Sequence, residues 1–280
     1  PKNLTSLSLA YSSVLASSLV VSKSFLPFLK YLNLSSCNLE SVLSKTVVEL
    51  PPSITCLNLA DNNIVSLHNL KLPFFLRTLD LTNNKINSLQ DTNGKPYEFP
   101  LGMINLNLSF NCLEGIPQQC KLPATLRRLS LGANYMNEWN LKVRFPDSLV
   151  HLDLSLNRLR TGSQLTVPAL LRELDLSNNS VEYIGTGTLP SNCLGSLQMV
   201  NLSGNPVRLL DIFTGQSASS LCSLQAIFMS DMRVGELLEN QILGGQAIVV
   251  PPSVKFLHMH NTGVNRTRFK DVKLLVLNVS

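Results

Sequence analysis

The chain has 280 residues, 44% of them hydrophobic and only 15% charged, which excludes a disordered protein because disordered chains are rich in charge and poor in apolar residues. Its net charge of +5 is mild for this length and no block of Lys and Arg stands out, so the composition gives little support to nucleic-acid binding. No apolar run approaches the roughly 18 residues of a membrane span; the best candidate, residues 14–21, is short and contains Ser17 and Ser18.

A repeated segment organises the whole sequence. Residues 76–86 read Leu-Arg-Thr-Leu-Asp-Leu-Thr-Asn-Asn-Lys-Ile, and residues 149–159 read Leu-Val-His-Leu-Asp-Leu-Ser-Leu-Asn-Arg-Leu. Eleven intervals separate the first repeat at residue 4 from the last at residue 274, with a mean of about 24.5 residues. The first apolar residues of the repeats are Leu4, Leu29, Ile54, Leu76, Met103, Leu126, Leu149, Leu171, Leu197, Leu224, Val254 and Leu274.

The apolar positions of each repeat predict a short strand and a shared core. Apolar residues at positions one, four, six and eleven are expected to point inward, while the residues between them alternate outward with the period of a strand. A single repeat cannot bury its own apolar edge, so neighbouring repeats must stack. Stacking would pair the strands in parallel, about 4.8 Å apart.

This pattern and period resemble the leucine-rich repeat over essentially the whole chain. The resemblance implies an α/β-type solenoid, a right-handed curved superhelix with a parallel β-sheet on its concave side. Because the repeats leave little room, the convex side should be mostly irregular or 3₁₀, with Phe74, Phe75 and residues 209–213 buried there. We expect residues 1–280 to form a single array of about 11–12 repeats, an uncapped excerpt of a longer protein, since neither end shows a paired-cysteine cap.

The ninth position of the repeat predicts a ladder of buried amides. An Asn side chain both donates and accepts hydrogen bonds, so stacked Asn residues can satisfy the backbone groups of a buried turn. In the flanking repeats the position holds Ser12, Cys37, Met232 and Thr262, and we expect a distorted turn at Met232 because a thioether cannot replace the amide. The ladder residues are Asn62, Asn84, Asn111, Asn134, Asn157, Asn179 and Asn205.

Proline marks the approach to many of the strands. It stands three residues before the first apolar position, where its fixed φ and missing N–H suit an extended segment that leads into a strand. A Leu/Phe-Pro-x-x-Leu sequence of this kind is similar to that of leucine-rich repeats in receptor kinases, receptor-like proteins and some secreted effectors. The prolines are Pro51, Pro73, Pro100, Pro123, Pro146, Pro168 and Pro251.

No pattern in the sequence predicts catalysis, a cofactor or a metal. His258 and His260 face the same way on one strand, but no Cys or carboxylate of matching spacing accompanies them. A phosphate-binding loop is absent, because the glycines at 244 and 245 lack the following Lys-Ser/Thr. Asp80, Asp153 and Asp175 share the fifth position of their repeats, where we expect a solvated face.

The cysteines leave the compartment open. Cys37 should be buried and inert, and Cys56 and Cys112, assigned to outward strand positions two repeats apart, should be too distant for a disulfide. Cys193 and Cys222 lie one repeat apart and remain candidates for a bridge.

Seven sequons for N-glycosylation favour secretion slightly. The excess over chance is small, because the apolar-Asn-apolar-Ser string of the repeat itself generates four of them, at Asn33, Asn107, Asn201 and Asn278. The possible acceptors are Asn3, Asn33, Asn107, Asn178, Asn201, Asn265 and Asn278.

The concave face is the expected partner-binding surface, since stacked strands present their outward residues on a rigid scaffold. Positions two and three supply a basic column of Lys30, Arg77, Arg127, Arg128, Arg172 and Lys255. Arg and aromatic residues are frequent hot spots; taken singly each is more simply an ordinary exposed residue of a scaffold, and only as a patch do they favour a binding surface as much. The candidate partner-binding residues are Phe110, Arg127, Arg128, Tyr135, His151, Leu156 and Arg172.

These features predict a non-catalytic module that binds a protein or peptide, with no nucleic-acid partner and no membrane insertion of this segment. The resemblance implies the ligand-recognition ectodomain of a cell-surface receptor, in a membrane-anchored parent, and the basic column implies an acidic patch or carboxylate on the ligand. Two alternatives remain open. One is a cytoplasmic interaction scaffold, and the other is a substrate-recruiting array attached to a kinase or ligase domain outside this chain.

Overall fold

The computed structural model describes eleven stretches of the chain, and all structural statements below refer to them. They are residues 3–12, 26–39, 47–91, 93–137, 144–160, 167–184, 195–206, 209–210, 223–231, 252–262 and 276–278. The chain divides into two compact units. The N-terminal unit comprises Pro1–Met136 with Asn140–Leu149, and the C-terminal unit comprises Asn137–Trp139 with Val150–Ser280. The single array predicted for residues 1–280 stays a prediction.

The N-terminal unit is a parallel β-solenoid. Its sheet has the strand order β1-β2-β4-β6-β7-β8, and β3 and β5 form a second, two-stranded parallel sheet. Each strand of the main sheet has three residues, and the sequence between two such strands makes one turn of the solenoid. The strands are β1 (Ser6–Ser8), β2 (Tyr31–Asn33), β3 (Val48–Glu49), β4 (Cys56–Asn58), β5 (Leu70–Lys71), β6 (Thr78–Asp80), β7 (Asn105–Asn107) and β8 (Arg128–Ser130).

The C-terminal unit has the same architecture. Its main sheet has the order β9-β10-β12-β14-β15-β16, again with parallel pairing throughout, and β11 pairs with β13. No helix occurs in the described part of either unit, in line with the mostly irregular segments expected between the strands. The strands are β9 (His151–Asp153), β10 (Glu173–Asp175), β11 (Tyr183–Ile184), β12 (Met199–Asn201), β13 (Leu209–Leu210), β14 (Ala226–Phe228), β15 (Phe256–His258) and β16 (Val276–Asn278).

The pairing register confirms the repeat. The fourth-position residues lie opposite one another on neighbouring strands, as for Leu79 and Leu106 or Leu152 and Leu174. These residues and the first- and sixth-position residues of the same turns are almost completely buried, so successive turns share one apolar core within each unit. Stacking therefore buries the apolar edge that no single repeat could bury alone.

The buried amides of the ninth position connect neighbouring turns. The Oδ1 atom of Asn84 accepts hydrogen bonds from the N–H groups of Asn62 and Ile64 in the preceding turn, at 3.2 and 2.8 Å. Its Nδ2 atom donates to the carbonyl oxygens of Leu59 and Leu81, both at 3.0 Å. Equivalent bonds link Asn111, Asn134, Asn179 and Asn205 to the turns before them, while Asn157 donates to carbonyls of its own turn. Each amide thus satisfies buried backbone groups that water cannot reach.

Cys37 occupies the same position in its turn. It is buried, its thiol lies 3.0 Å from the carbonyl oxygen of Leu9, and its N–H donates to Oδ1 of Asn62 at 2.9 Å. Thr262 is also buried there, and its hydroxyl donates to the carbonyl of Met259. The prediction of a distorted turn concerns Met232, which lies outside the described residues, as does Pro251.

A second polar row follows the fifth position, and it corrects the prediction of a solvated acidic face. Asp80, Asp153 and Asp175 are half-buried. Each Oδ1 accepts the N–H and the hydroxyl of the residue two places on; for Asp80 the N and Oγ1 atoms of Thr82 are 3.0 and 2.6 Å away. Asn33, Asn58, Asn107 and Asn201 make the same backbone bond. These side chains hold the chain where it leaves each strand, as in Asx-turns.

Two further predictions about local geometry are wrong. The prolines do not simply extend the chain: the carbonyl of Pro73 accepts the N–H of Leu76 at 3.1 Å, so proline begins a tight turn, and Pro100 and Pro123 do the same. Phe74 and Phe75, expected in the core, lie inside such a turn and are 70% and 62% exposed. The turn reverses the chain before the strand, so its two central residues project into solvent.

Candidate partner-binding surfaces

The basic residues of the N-terminal unit lie at the start of its main strands. Arg77 is the residue immediately before β6, and Arg127 is the residue immediately before β8. Arg128 is the first residue of β8. Lys30 has the same position before β2. All four side chains are exposed, and none of them makes an ion pair with a described residue. Their charges are therefore available to a partner.

Backbone hydrogen bonds fix these residues in place. The N–H groups of Arg127 and Arg128 donate to the carbonyl oxygen of Ile104 at 2.8 and 3.1 Å. Arg128 lies opposite Asn105 in the register of β7 and β8. Nδ2 of Asn105 donates to Oγ1 of Thr78 at 3.0 Å, whereas its Oδ1 atom is buried without a hydrogen-bond partner among the described residues. A buried, unpaired acceptor thus lies on the strand that pairs with the strand of Arg128.

Two exposed aromatic side chains follow the same strands. Phe110, three residues beyond β7, is 55% exposed, and Tyr135, five residues beyond β8, is 44% exposed. The N–H group of Phe110 donates to the carbonyl oxygen of Gly132, and the N–H group of Tyr135 donates to the carbonyl oxygen of Leu113. Backbone hydrogen bonds therefore join the two turns at both aromatic residues. We call Arg77, Arg127, Arg128, Phe110 and Tyr135 the basic–aromatic surface of the N-terminal unit.

The C-terminal unit has a different charge pattern, and the basic column does not continue evenly through it. His151, at the start of β9, pairs through Nδ1 with Oε2 of Glu173 at 2.6 Å, across the register of β9 and β10. The His151 side chain therefore already has a carboxylate partner within its own unit. The strands of this unit carry Asp153, Glu173 and Asp175. Arg172 is exposed, as is Leu156, which is 49% accessible.

The seven predicted partner-binding residues thus fall into two groups. Phe110, Arg127, Arg128 and Tyr135 lie on adjoining turns of the N-terminal unit. His151, Leu156 and Arg172 lie on adjoining turns of the C-terminal unit. Within each group the register places the residues on neighbouring turns, and a binding role for either group stays a prediction.

Two aromatic features were missed by the sequence reasoning. Phe74 and Phe75 pack edge to face, with ring centroids 5.2 Å apart. Phe228 and His258 stack at 4.8 Å across β14 and β15, at the fifth position where other turns carry Asp or Asn. The Phe74–Phe75 pair could have been found from the sequence, because the two residues that follow each proline are the central residues of its turn. The second needed the strand register, because the two residues are 30 apart in the sequence.

The described cysteines are free thiols, buried at Cys37 and Cys120 and half-buried at Cys56 and Cys112. Burial raises the pKa of the Cys120 thiol to about 11, and burial together with the nearby Asp80 carboxylate raises the pKa of Cys56. Both thiols are therefore protonated and unreactive at neutral pH. Cys112 lies five residues beyond β7 and not on a strand, which corrects its predicted position. Cys193 and Cys222 lie outside the described residues.

The possible glycosylation acceptors differ in their surroundings. Asn3 and Asn178 are exposed, whereas Asn33, Asn107 and Asn201 are half-buried fifth-position residues whose Oδ1 atoms accept a backbone N–H. The side chains of Asn265 and Asn278 lie outside what the structure describes. The two exposed acceptors are the ones whose modification would least disturb a turn.

Within the described stretches, no group of three or more His, Cys, Asp or Glu side chains is placed to hold a metal ion. His258 is half-buried against Phe228, and His260 is exposed. The same part of the chain contains no helix with the length and hydropathy needed to cross a membrane.

Comparison with known proteins supports the repeat assignment. Two family models, both described as leucine-rich repeat, match parts of the chain. One matches residues 28–50 and residues 170–195, and the other matches residues 73–88. Oligodendrocyte-myelin glycoprotein of Mus musculus is 32% identical over 151 residues, which is 52% of this chain and 33% of that protein. Toll-like receptor 2 of Capra hircus is 30% identical over 154 residues, 55% of this chain and 18% of that protein.

The chain thus spans a third or less of these two curated relatives. Among solved structures, YopM from Yersinia enterocolitica WA-314 matches 85% of this chain and 48% of its own, with a TM-score of 0.55 and 22% identity, a likeness that concerns the fold. The period, the strand register and these matches agree, and the chain is built of leucine-rich repeats.

Proposed function

We propose that this chain is a non-catalytic module that binds a protein or peptide, and that the basic–aromatic surface of the N-terminal unit receives it. The observation that carries the proposal is the set of exposed guanidinium groups without an ion pair among the described residues, in a unit whose turns also carry two exposed aromatic rings. Unpaired cations on rigid strands attract acidic groups, and Arg and Tyr are typical hot-spot residues. His151, Leu156 and Arg172 are proposed as a second contact region on the C-terminal unit.

The proposed parent is a cell-surface receptor whose ectodomain contains this array. Support comes from the relatives, whose names describe a glycoprotein and a Toll-like receptor. Recognition of an acidic patch or carboxylate follows from the charge of the surface. The second candidate is an intracellular interaction scaffold, favoured by the four described cysteines, which are all free.

Selection from a phage-displayed library of random peptides tests the binding proposal. The immobilised chain should enrich sequences in which Asp or Glu occurs together with an apolar or aromatic residue, because the surface offers both guanidinium groups and aromatic rings on neighbouring turns. Parallel selection against a chain with Lys95→Glu and Lys121→Glu controls for general charge, since both lysines are exposed outside the strands. Failure to enrich any sequence, or enrichment of basic peptides, would contradict the proposal.

The compartment can be tested by intact mass. The chain isolated from its native host should lose the mass of several glycans after enzymatic removal of N-glycans, with Asn3 and Asn178 among the occupied positions because both are exposed. Treatment of a chain that carries Asn178→Gln provides the site-specific control. An unchanged mass, with all six cysteines reduced, would instead support the intracellular scaffold.

A further inference from the structure

The eighth residue of every described turn has the same unusual backbone conformation. In all eleven turns its φ angle is positive, between 52° and 68°, which is the left-handed region. Amino acids other than Gly, Asn and Asp are uncommon there because Cβ approaches the backbone. The eleven residues are Tyr11, Ser36, Asp61, Asn83, Phe110, Ala133, Leu156, Asn178, Gly204, Asp231 and Asn261.

The stacking of the turns requires this conformation. The N–H group of the eighth residue donates to the carbonyl oxygen of the seventh residue in the next turn; for Phe110 and Gly132 the distance is 2.9 Å. The same bond joins Asn83 to Ser109 at 3.0 Å and Leu156 to Ser177 at 2.8 Å. A residue at this position therefore cannot relax to a negative φ without losing a bond between turns.

Most of these positions carry a residue suited to the conformation or to its neighbours. Nδ2 of Asn83 donates to Oδ1 of Asp61 at 2.6 Å, and Asn261 bonds in the same way to Asp231 at 3.1 Å. A Cβ atom at Gly204 would clash with Oδ1 of Asn178, so a larger residue there would require the Asn178 side chain to move. These residues strengthen the contact between successive turns.

Phe110 does not follow this pattern, and neither do Tyr11 and Leu156; of the three, Phe110 is the one on the turn next to Arg127 and Arg128. It is a large apolar residue in the left-handed region, and more than half of its side chain is exposed, so it contributes little burial in return for the strain. Its neighbours at the eighth position are Asn83, whose amide is bonded to Asp61, and Ala133, which has only a methyl group.

We infer that Phe110 is the apolar anchor of the partner-binding surface and occupies this position at a cost in stability. The occupant is a peptide that places an apolar side chain against Phe110 and Tyr135 and an acidic side chain against Arg127 and Arg128. Arg128 and Ala133 are five residues apart, at most about 17 Å along an extended chain, so the two recognised side chains should be about five residues apart. This inference rests on the proposed function and deepens it.

Thermal unfolding tests the strain without any ligand. Phe110→Asn introduces the residue found at 83, 178 and 261 and should raise the unfolding midpoint by roughly 2 °C. Ala133→Gly, at the same position of the next turn, should shift the midpoint in the same direction. A lower midpoint for Phe110→Asn would show that the ring stabilises the fold, and would overturn the inference.

Binding tests the anchor, with the acidic–apolar peptides recovered from the phage library as the probe. Phe110→Asn should weaken their binding at least tenfold, whereas Phe110→Leu, which keeps an apolar side chain, should retain most of it. Phe74→Asn removes an even more exposed aromatic ring outside the surface and should leave affinity unchanged. Unchanged affinity in Phe110→Asn overturns the anchor alone, while a library without binders overturns the proposed function as well.

Discussion

Replacing Asn62 with Leu should lower the free energy of unfolding by about 4 kcal/mol or more. Asn62 is fully buried, and its Oδ1 accepts N–H groups of Cys37 and Leu39 at 2.9 and 3.3 Å. Its Nδ2 lies within 3.0 Å of the carbonyl oxygens of Leu34, Leu59 and Ala60. A leucine of similar volume leaves these groups without partners, and each buried unsatisfied group costs about 1–3 kcal/mol.

Urea unfolding followed by circular dichroism, together with hydrogen exchange of the neighbouring turns, measures this effect. Exchange is needed because arrays of repeats do not always unfold in one cooperative step. Asn63→Gly is the matched control: Asn63 is exposed and has a φ of 56°, which glycine adopts freely, so its substitution should change stability little. If Asn62→Leu cost no more than Asn63→Gly, the amide ladder would not stabilise the solenoid.

Reversing both charges in Arg127→Glu, Arg128→Glu should weaken binding of the library-selected acidic peptides about 100-fold at low salt. Both side chains are exposed and make no ion pair with a described residue. Their loss therefore removes attraction to the peptide without breaking an internal pair. Close charge pairs across interfaces couple by about 1.5 kcal/mol or more, so two pairs correspond to about 3 kcal/mol, or roughly two factors of ten in affinity.

Titration at several salt concentrations distinguishes a specific contact from a general charge effect. Affinity of the unmodified chain should fall as salt screens the guanidinium groups, whereas the reversed variant should lose this dependence. Lys95→Glu with Lys121→Glu makes the same change in net charge outside the strands and should reduce affinity far less. Equal affinity of the Arg127→Glu, Arg128→Glu variant at low salt would exclude a role for the basic residues.

The core of this protein could be predicted from its sequence because each inward position repeats with the period of the turns. Leu79 and Leu106 lie opposite each other in the sheet, as the repeat alignment requires. The ninth-position Asn residues are also buried and bonded between turns. A repeat constrains these residues strongly, because a residue that points inward in one turn must stack on its counterpart in the next.

The candidate surface could be predicted only in part. The exposure of Arg127, Arg128 and Phe110 follows from their positions between inward residues, but the Nδ1–Oε2 pair of His151 and Glu173 joins residues of different repeats. The hydrophobicity of Phe74 likewise predicted a buried side chain, because the sequence does not show to which side a turn directs its central residues. Partners that lie 22 residues apart become visible only once the strands are in register.

The sequence by itself determined the leucine-rich repeat, the parallel solenoid, the inward residues and the amide ladder, since all of these follow from one period. Only the tertiary structure decided which bonds and which backbone conformation the individual outward residues have. The fifth-position carboxylates became Asx-turns because a hydroxyl and an N–H two residues on lie within reach. The eighth residues have a positive φ because their N–H groups donate hydrogen bonds to the next turn. A large exposed side chain such as that of Phe110 is therefore unfavourable for the stability of the fold at this position.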